Sequence, residues 1–292
     1  MTTPIQRPVS TFSIVGYDPN TEEIGIAVQS KFLAVGSVVP WAVAKVGAVA
    51  LQSWSNTSYA RPSLQLIHEG LHPEEVIARL VADDAQASFR QVGLVDTKGR
   101  SATFTGEDCL SWAGGVCGEN FAAQGNILVG KETVEALAET FKTSQGDLAE
   151  RLSLCLVAAQ KAGGDRRGMQ SAALYIAKAH GGYGGFNDRY VDIRVDDHKD
   201  PITELRRILT MWRLQFFRTK PGNITLIADD NKDFILNILD QEGYYNGQRG
   251  EWDDSMQAAF ASFCLSENFE EREAPAGYVD REVLDYLSSV YS

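Results

Sequence analysis

The chain has 292 residues, 44% hydrophobic and 23% charged, enough to bury one large core with a small module beside it. Its formal net charge is −12; residues 221–292 hold 15 acidic against 4 basic side chains, while the first 220 hold 24 against 23. Phosphate binding needs a basic face, which excludes nucleic acid as a partner, and no run of 18 apolar residues is present to span a membrane.

The opening segment MTTPIQRPVS has one arginine and no apolar stretch, which predicts a cytoplasmic protein without a secretory signal. Residues 11–17 alternate apolar and polar as a half-buried strand does, Asp18-Pro19-Asn20-Thr21 has turn chemistry, and 24–29 read as a second strand of one hairpin. Residues 35–46, broken by Pro40, and 47–52 continue as valine-rich β. Two short helices follow at 62–68 and 74–82, with Gly70 ending the first and Pro73 opening the second. Residues 91–96 and 101–105 form a hairpin around Thr97-Lys98-Gly99. Beyond a glycine-rich turn come a strand near 121–123 and amphipathic helices at 131–142 and 147–161. Strands at 170–177 and 190–195 flank the loop that begins at His180, and Asp200 caps a helix over 201–218. Strands and helix pairs in alternation predict an α+β fold of packed antiparallel sheets rather than a parallel one. Pro221-Gly222-Asn223, where the charge changes, is the expected boundary between a domain at 11–220 and an acidic one at 221–292.

Cys109, Cys117, Cys155 and Cys264 show no Cys-x-x-Cys spacing and read as reduced thiols. A bridge between Cys109 and Cys117, across the turn at 112–115, is the alternative to two half-buried thiols. His68 and His72 are four apart, but Gly70 and Pro73 break the helix between them, so no metal site is expected. Asp196, Asp197, His198 and Asp200 read as a solvated strand end with a helix cap. Leu205, Leu209, Trp212 and Phe216 are helix-spaced, which predicts core or subunit packing; a homo-oligomer, a dimer at its simplest, is the expected assembly.

Five blocks carry a resemblance: Thr11-Phe-Ser-Ile-Val-Gly, Gly25-Ile-Ala-Val-Gln-Ser-Lys31-Phe32, Val46-Gly-Ala-Val-Ala-Leu-Gln52, Gly164-Asp165-Arg166-Arg167-Gly168-Met-Gln170-Ser171 and Asp192-Ile-Arg-Val-Asp-Asp-His198. They resemble an uncharacterised bacterial family usually placed in the N-terminal-nucleophile (Ntn) hydrolase superfamily, over roughly residues 11–215. The first strand and the stretch from Ala158 to Gly168 are also similar, more faintly, to proteasome β-subunits. The resemblance implies a four-layer αββα sandwich and hydrolysis of a small-molecule amide or other C–N bond, with no cofactor. It implies Thr11 as nucleophile, Lys31 near it to tune its amine, and Asp165 as support.

The chemistry is coherent. A threonine hydroxyl attacks poorly until a base takes its proton, and an α-amine of pKa about 7.7–8.0 is such a base near neutral pH. Lys31 would lower that pKa by like-charge repulsion, and Asp165 would orient Lys31 or the amine through a charge-assisted hydrogen bond. The oxyanion donor is expected from the loop at 53–56, with the Asn56 amide foremost; Ser30, Gln124, Asn126 and Arg167 are expected substrate contacts. Thr11 has to be freed from a leader at 1–10, by attack of its own hydroxyl on the Ser10 carbonyl. Read without the resemblance, Thr11 opens a strand, Lys31 is a solvated edge charge, Asp165 caps a turn and Arg167 is its ion-pair partner. An unprocessed enzyme using Ser13, Ser30 or Cys109 is a further reading.

Beyond the boundary, Phe234, Ile235, Ile238 and Leu239 make a helix face. Gly243-Tyr244-Tyr245-Asn246-Gly247, Trp252-Asp253, Ala259, Phe260 and Phe263 follow. This pattern resembles the small three-helix peptidoglycan-binding-like module. It implies a docking or dimerisation module or, as the alternative function, a non-enzymatic protein that holds a cell-wall fragment or a protein partner.

Overall fold

Strands β1 (Thr11–Asp18) and β2 (Glu23–Ser30) form the hairpin on which the rest assembles, and every residue of both is buried. The computed structural model describes residues 8, 9 and 11–291, in two compact units that meet in sequence at Arg206/Arg207. The chain continues through β3 (Pro40–Val43), β4 (Gly47–Ser53), α1 (Ala60–His68), α2 (Pro73–Ala82), β5 (Arg90–Asp96), β6 (Ser101–Thr105), β7 (Gly114–Gly118) and β8 (Phe121–Gly125). Then come α3 (Glu132–Thr143), α4 (Leu148–Lys161), β9 (Ser171–Ala177), β10 (Arg189–Val195) and α5 (Pro201–Phe216).

Two antiparallel sheets result, ordered β10-β9-β2-β1-β8-β7 and β3-β4-β5-β6. Helix α4 packs on β1 and β2 and α3 on β8, whereas α1 packs on β4 and α2 on β6. The two sheets also contact each other, β2 with β3, β1 with β4 and β5 with β8. Val15, Ile26 and Val28 share one apolar cluster with Ala48, Ala50 and Val95, while Val49, Leu51 and Leu94 join Ile67 and Val76. Strand alternation therefore sends successive side chains into different layers.

That arrangement corrects one expectation. The alternation over 11–17 suggested one wet face, yet β1 is buried at all eight positions, so Thr11 and Ser13 face protein and not solvent. Residues 35–46 are not continuous β either: Val35–Ser37 is a 3₁₀ turn and only Pro40–Val43 pairs. Strand β7 occupies part of the glycine-rich stretch read as a turn; as an edge strand of Gly-Gly-Val-Cys-Gly it carries almost no hydrophobic signal. The cysteines are free thiols, Cys109 buried and Cys117 exposed. His72 serves as N-cap of α2, its Nδ1 accepting the Glu74 N–H, and no metal-ready cluster of His, Cys, Asp or Glu occurs among the described residues. No helix among them is long and apolar enough to cross a membrane.

The second unit holds β11 (Ile224–Leu226), α6 (Asp229–Gln241), α7 (Asp254–Ser266), β12 (Tyr278–Asp280) and α8 (Arg281–Val290). Leu214, Ile235, Leu239, Phe260, Phe263, Phe269, Val283 and Leu287 form its core. The β11–β12 pair is an addition to the helical reading, because three-residue strands show no periodicity. Arg272 is buried; it donates to the Arg213 and Leu214 carbonyls near the end of α5, the negative end of the helix dipole, and it pairs with Asp280.

The tightest constraint on the hairpin is Gly25, where an added Cβ would lie 2.4 Å from the Tyr175 carbonyl oxygen and 2.8 Å from Ile176 Cγ1. A backbone carbonyl in the central sheet has nowhere to move. Gly25→Ala should therefore lower unfolding stability by about 1–3 kcal/mol in a urea titration, and a wild-type midpoint would contradict this packing.

Candidate functional site

The start of β1 and the end of β2 lie side by side, with Thr11 opposite Ser30. The Thr11 carbonyl accepts the Asn126 N–H at 3.0 Å and a longer contact from Gln52 Nε2 at 3.4 Å. Its hydroxyl is fully buried and donates to the carbonyl of Val9 at 2.9 Å. Val9 is 3% exposed and forms an antiparallel bridge with Ser53: the Val9 N–H donates to the Ser53 carbonyl at 2.6 Å, and the Ser53 N–H to the Val9 carbonyl at 3.1 Å. Asn126 Nδ2 lies 3.5 Å from the same Val9 oxygen. Three donors thus converge on one carbonyl, from Thr11, Ser53 and Asn126. Ser53 achieves this at φ 63°, a left-handed conformation that costs a serine energy and is held by its surroundings.

Behind Thr11 lies a polar network that the sequence reading missed. Ser13 donates to Gln52 Oε1 at 2.6 Å and accepts from Gln124 Nε2 at 2.7 Å. Gln52 Nε2 donates to Gln91 Oε1 at 2.8 Å, which also takes Asn126 Nδ2 at 2.9 Å. Gln91 Nε2 in turn donates to the Gly125 carbonyl and Thr105 Oγ1. All five side chains are buried, and Gln124 Oε1 and Asn126 Oδ1 are left without a donor. The available signal was a glutamine inside each of two valine-rich strands, since buried amides demand partners.

On the other flank, Asp165 is buried and accepts the Lys31 backbone N–H at 3.2 Å, the Arg167 N–H at 2.9 Å and the Arg167 guanidinium at 2.9 Å. It also forms a β-bridge with Leu128, two residues beyond Asn126. Thr11, Ser30, Asn126 and Asp165 thereby come to one end of the six-stranded sheet, with Gln124 in the layer behind and Arg167 held as the ion-pair partner of Asp165. The Lys31 ammonium is exposed and donates to the Met169 carbonyl at 3.1 Å, so it is the backbone of Lys31, not its charge, that meets Asp165.

Asn56 has both ends of its amide engaged. Its Oδ1 accepts the Ser58 N–H and hydroxyl, capping the turn Thr57–Tyr59, and its Nδ2 reaches Asp84 at 3.4 Å. Asp84 anchors that loop: Arg90 Nε donates to it at 2.8 Å, the Tyr59 hydroxyl at 2.7 Å, and Arg90 also holds the Trp54 carbonyl. The Arg90 guanidinium keeps the Asp84 carboxyl well below the usual carboxylate range. Burial, reinforced by the bond to Asp84, pushes the Tyr59 hydroxyl above its ordinary value. Of the alternative nucleophiles, Ser13 is locked into the amide network, and burial pushes the Cys109 thiol up, against thiolate formation. The second unit contains a separate cavity of about 250 Å³, lined by Phe260, Cys264, Phe269, Arg272, Tyr278 and Asp280 among others.

The carbonyl of the Ser10–Thr11 bond belongs to Ser10 and lies outside the described residues, as does most of the expected leader at 1–10. Residues 11–205 match the family model described as a family of unknown function, DUF1028, and residues 215–287 match a putative peptidoglycan binding domain. Among solved structures, the chain is similar to protein SPO2555 from Silicibacter pomeroyi, itself described as DUF1028, at 27% identity and a TM-score of 0.63, over 77% of this chain and 93% of that one. No curated protein matches.

Because the Asp84 carboxyl is depressed in the folded chain, its contribution to stability is complete above the unfolded value of about 3.9 and is lost as pH falls through the folded one. Urea unfolding should show stability declining below about pH 4, and Asp84→Ala should cost about 3 kcal/mol at neutral pH and flatten that decline. An unchanged acid limb in the variant would show that Asp84 does not anchor the loop.

Proposed function

The chain belongs to the family of unknown function DUF1028, and from that footing we propose that it is an Ntn-type amidohydrolase whose nucleophile is Thr11, exposed by self-cleavage of the Ser10–Thr11 bond. Two antiparallel sheets, each with helices on its outer face, support the αββα reading of the first unit. The observation that carries the function is the setting of Thr11. Its hydroxyl, at the head of a fully buried strand, donates back to the Val9 carbonyl, one residue before the bond to be cut, and the Ser53 N–H and the Asn126 side-chain amide converge on the same oxygen.

In the self-cleavage, Thr11 Oγ attacks the Ser10 carbonyl carbon, the C–N bond to Thr11 breaks, and the nitrogen leaves as the free α-amine carrying the hydroxyl proton. Water then hydrolyses the ester, giving the leader a carboxylate and restoring the hydroxyl. In later turnovers the amine takes the Thr11 proton and passes it to the departing nitrogen of the substrate, without metal or organic cofactor. The Ser53 N–H is taken by the Val9 carbonyl, so Asn126 Nδ2, whose contact to that oxygen is the longest at 3.5 Å, is the donor offered to the developing oxyanion, in preference to Asn56, whose amide is already engaged. Asp165 acts through position: by holding the Lys31 N–H it fixes the end of the strand beside Thr11. Ser30, Gln124 and Arg167 remain substrate-side candidates, and Lys31 acts on the amine only as a solvated charge.

A second reading concerns the acidic unit. Its match to a putative peptidoglycan binding domain and its 250 Å³ cavity favour a module that holds a cell-wall fragment or a protein partner, either beside the hydrolase or as the function of the whole chain.

Intact-mass measurement on purified protein should find a chain beginning at Thr11, whereas Thr11→Ala stays full length. Asn126→Leu should slow processing or turnover by about 10²–10³. Wild-type protein that remains whole, and amide hydrolysis indifferent to Thr11→Ala, would overturn the assignment.

A further inference from the structure

Among the described residues of the leader, Val9 is the one nearest Thr11, and it is held by main-chain bonds as an extended peptide would be. Val9 gives its N–H to the Ser53 carbonyl and its carbonyl to the Ser53 N–H, and its side chain is buried with the apolar cluster between the sheets. Departure of the leader removes that residue from the four groups that bond to it: the Ser53 carbonyl, the Ser53 N–H, Asn126 Nδ2 and the Thr11 hydroxyl. The Ser53 carbonyl is then an acceptor in need of a donor, and the Ser53 N–H a donor in need of an acceptor. Asn126 Nδ2 loses the Val9 oxygen, and Asn126 Oδ1 is an acceptor that already lacks a donor in the intact chain. The Thr11 hydroxyl joins them.

This is a two-point edge for an extended peptide, with an apolar hollow the size of a valine side chain. Buried polar groups left unpaired are costly, so the site discriminates against any acyl group that cannot supply both an N–H and a C=O at this position. A simple acyl chain satisfies neither half of the Ser53 bridge.

We infer that the processed site takes short extended peptides, with a small branched aliphatic residue two positions before the nitrogen that leaves. The inference rests on the Thr11 hydrolase reading and specifies its substrate class. The substrate's backbone forms the antiparallel bridge to Ser53 that Val9 forms in the intact chain, and its aliphatic side chain refills the Val9 hollow. Chemistry follows as above: Thr11 Oγ takes the acyl carbon, the amide nitrogen leaves with the hydroxyl proton, and water completes the hydrolysis to a peptide carboxylate. Asn126 Oδ1 accepts from the Thr11 amine that processing creates, which gives the orphaned acceptor a partner.

The test uses the full chain after mass measurement confirms a Thr11 terminus, with acetyl-Pro-Val-Ser p-nitroanilide, which reproduces residues 8–10, as the probe. Three relatives accompany it: glycine for valine, aspartate for valine, and valine N-methylated to remove the N–H that Ser53 accepts. The valine peptide should be cleaved with a kcat/KM at least about tenfold above each of the other three. Equal rates on all four overturn the inference while leaving the hydrolase reading intact. So does turnover of non-peptide anilides with none of the peptides cut. Protein that never exposes Thr11 and cleaves nothing takes down the hydrolase reading and this inference together.

Discussion

Burial of both faces of the first hairpin is the constraint from which the rest of the site follows. Once helices cover one side of β1 and β2 and a second sheet covers the other, no polar group between the sheets can turn to water. Thr11, Ser13, Gln52, Gln91, Gln124 and Asn126 must then satisfy one another or the backbone, since an unpaired buried amide or hydroxyl costs more than a typical hydrogen bond contributes. They largely succeed, through bonds of 2.6 to 2.9 Å between Ser13, Gln52, Gln91, Gln124 and Asn126. The network ends at Thr11 and Val9, where the chain before the hairpin supplies the last acceptor. A functional site at that point is preorganised by necessity, because its members have no other place to point.

Much of the architecture was legible from pattern. The turn at Asp18–Thr21, the hairpin over 91–105 and the two long amphipathic helices were announced by turn chemistry and 3.6-residue periodicity, and Asp200, read as the cap of the helix at 201, accepts the Thr203 N–H at 3.3 Å. The failures share a cause: information that is not local. The alternation of 11–17 is the same whether the polar side meets water or another sheet's glutamines. Strand β7 has too little hydrophobic content to register, and β11 and β12 exist only because they pair across about fifty residues of sequence.

The site was legible in part for the same reason. Family-like blocks brought attention to Thr11, Ser30 and Asp165, and a strand-end position to Asn126; the four do gather at one sheet end. Asn56 sits in the expected loop, but that loop's own economy of hydrogen bonds claims it: it caps a turn and meets Asp84, while Ser53, three residues earlier and in a left-handed conformation, makes the contact to Val9. Lys31 illustrates how side chain and backbone can part company, since its amide meets Asp165 while its ammonium faces outward to Met169. Neither distinction is written in spacing. Both arise from which atoms the tertiary fold leaves free.

The central claim, that Thr11 is the nucleophile, is tested most directly by trapping it. Purified protein treated with a β-lactone, whose ring opening leaves an ester on the attacking oxygen, should gain a single acyl group. Peptide mapping by mass spectrometry should place that group on Thr11 Oγ, with Thr11 as the first residue of its fragment. An adduct on Cys109, on another hydroxyl, or on no residue at all while the fold remains intact would contradict the account.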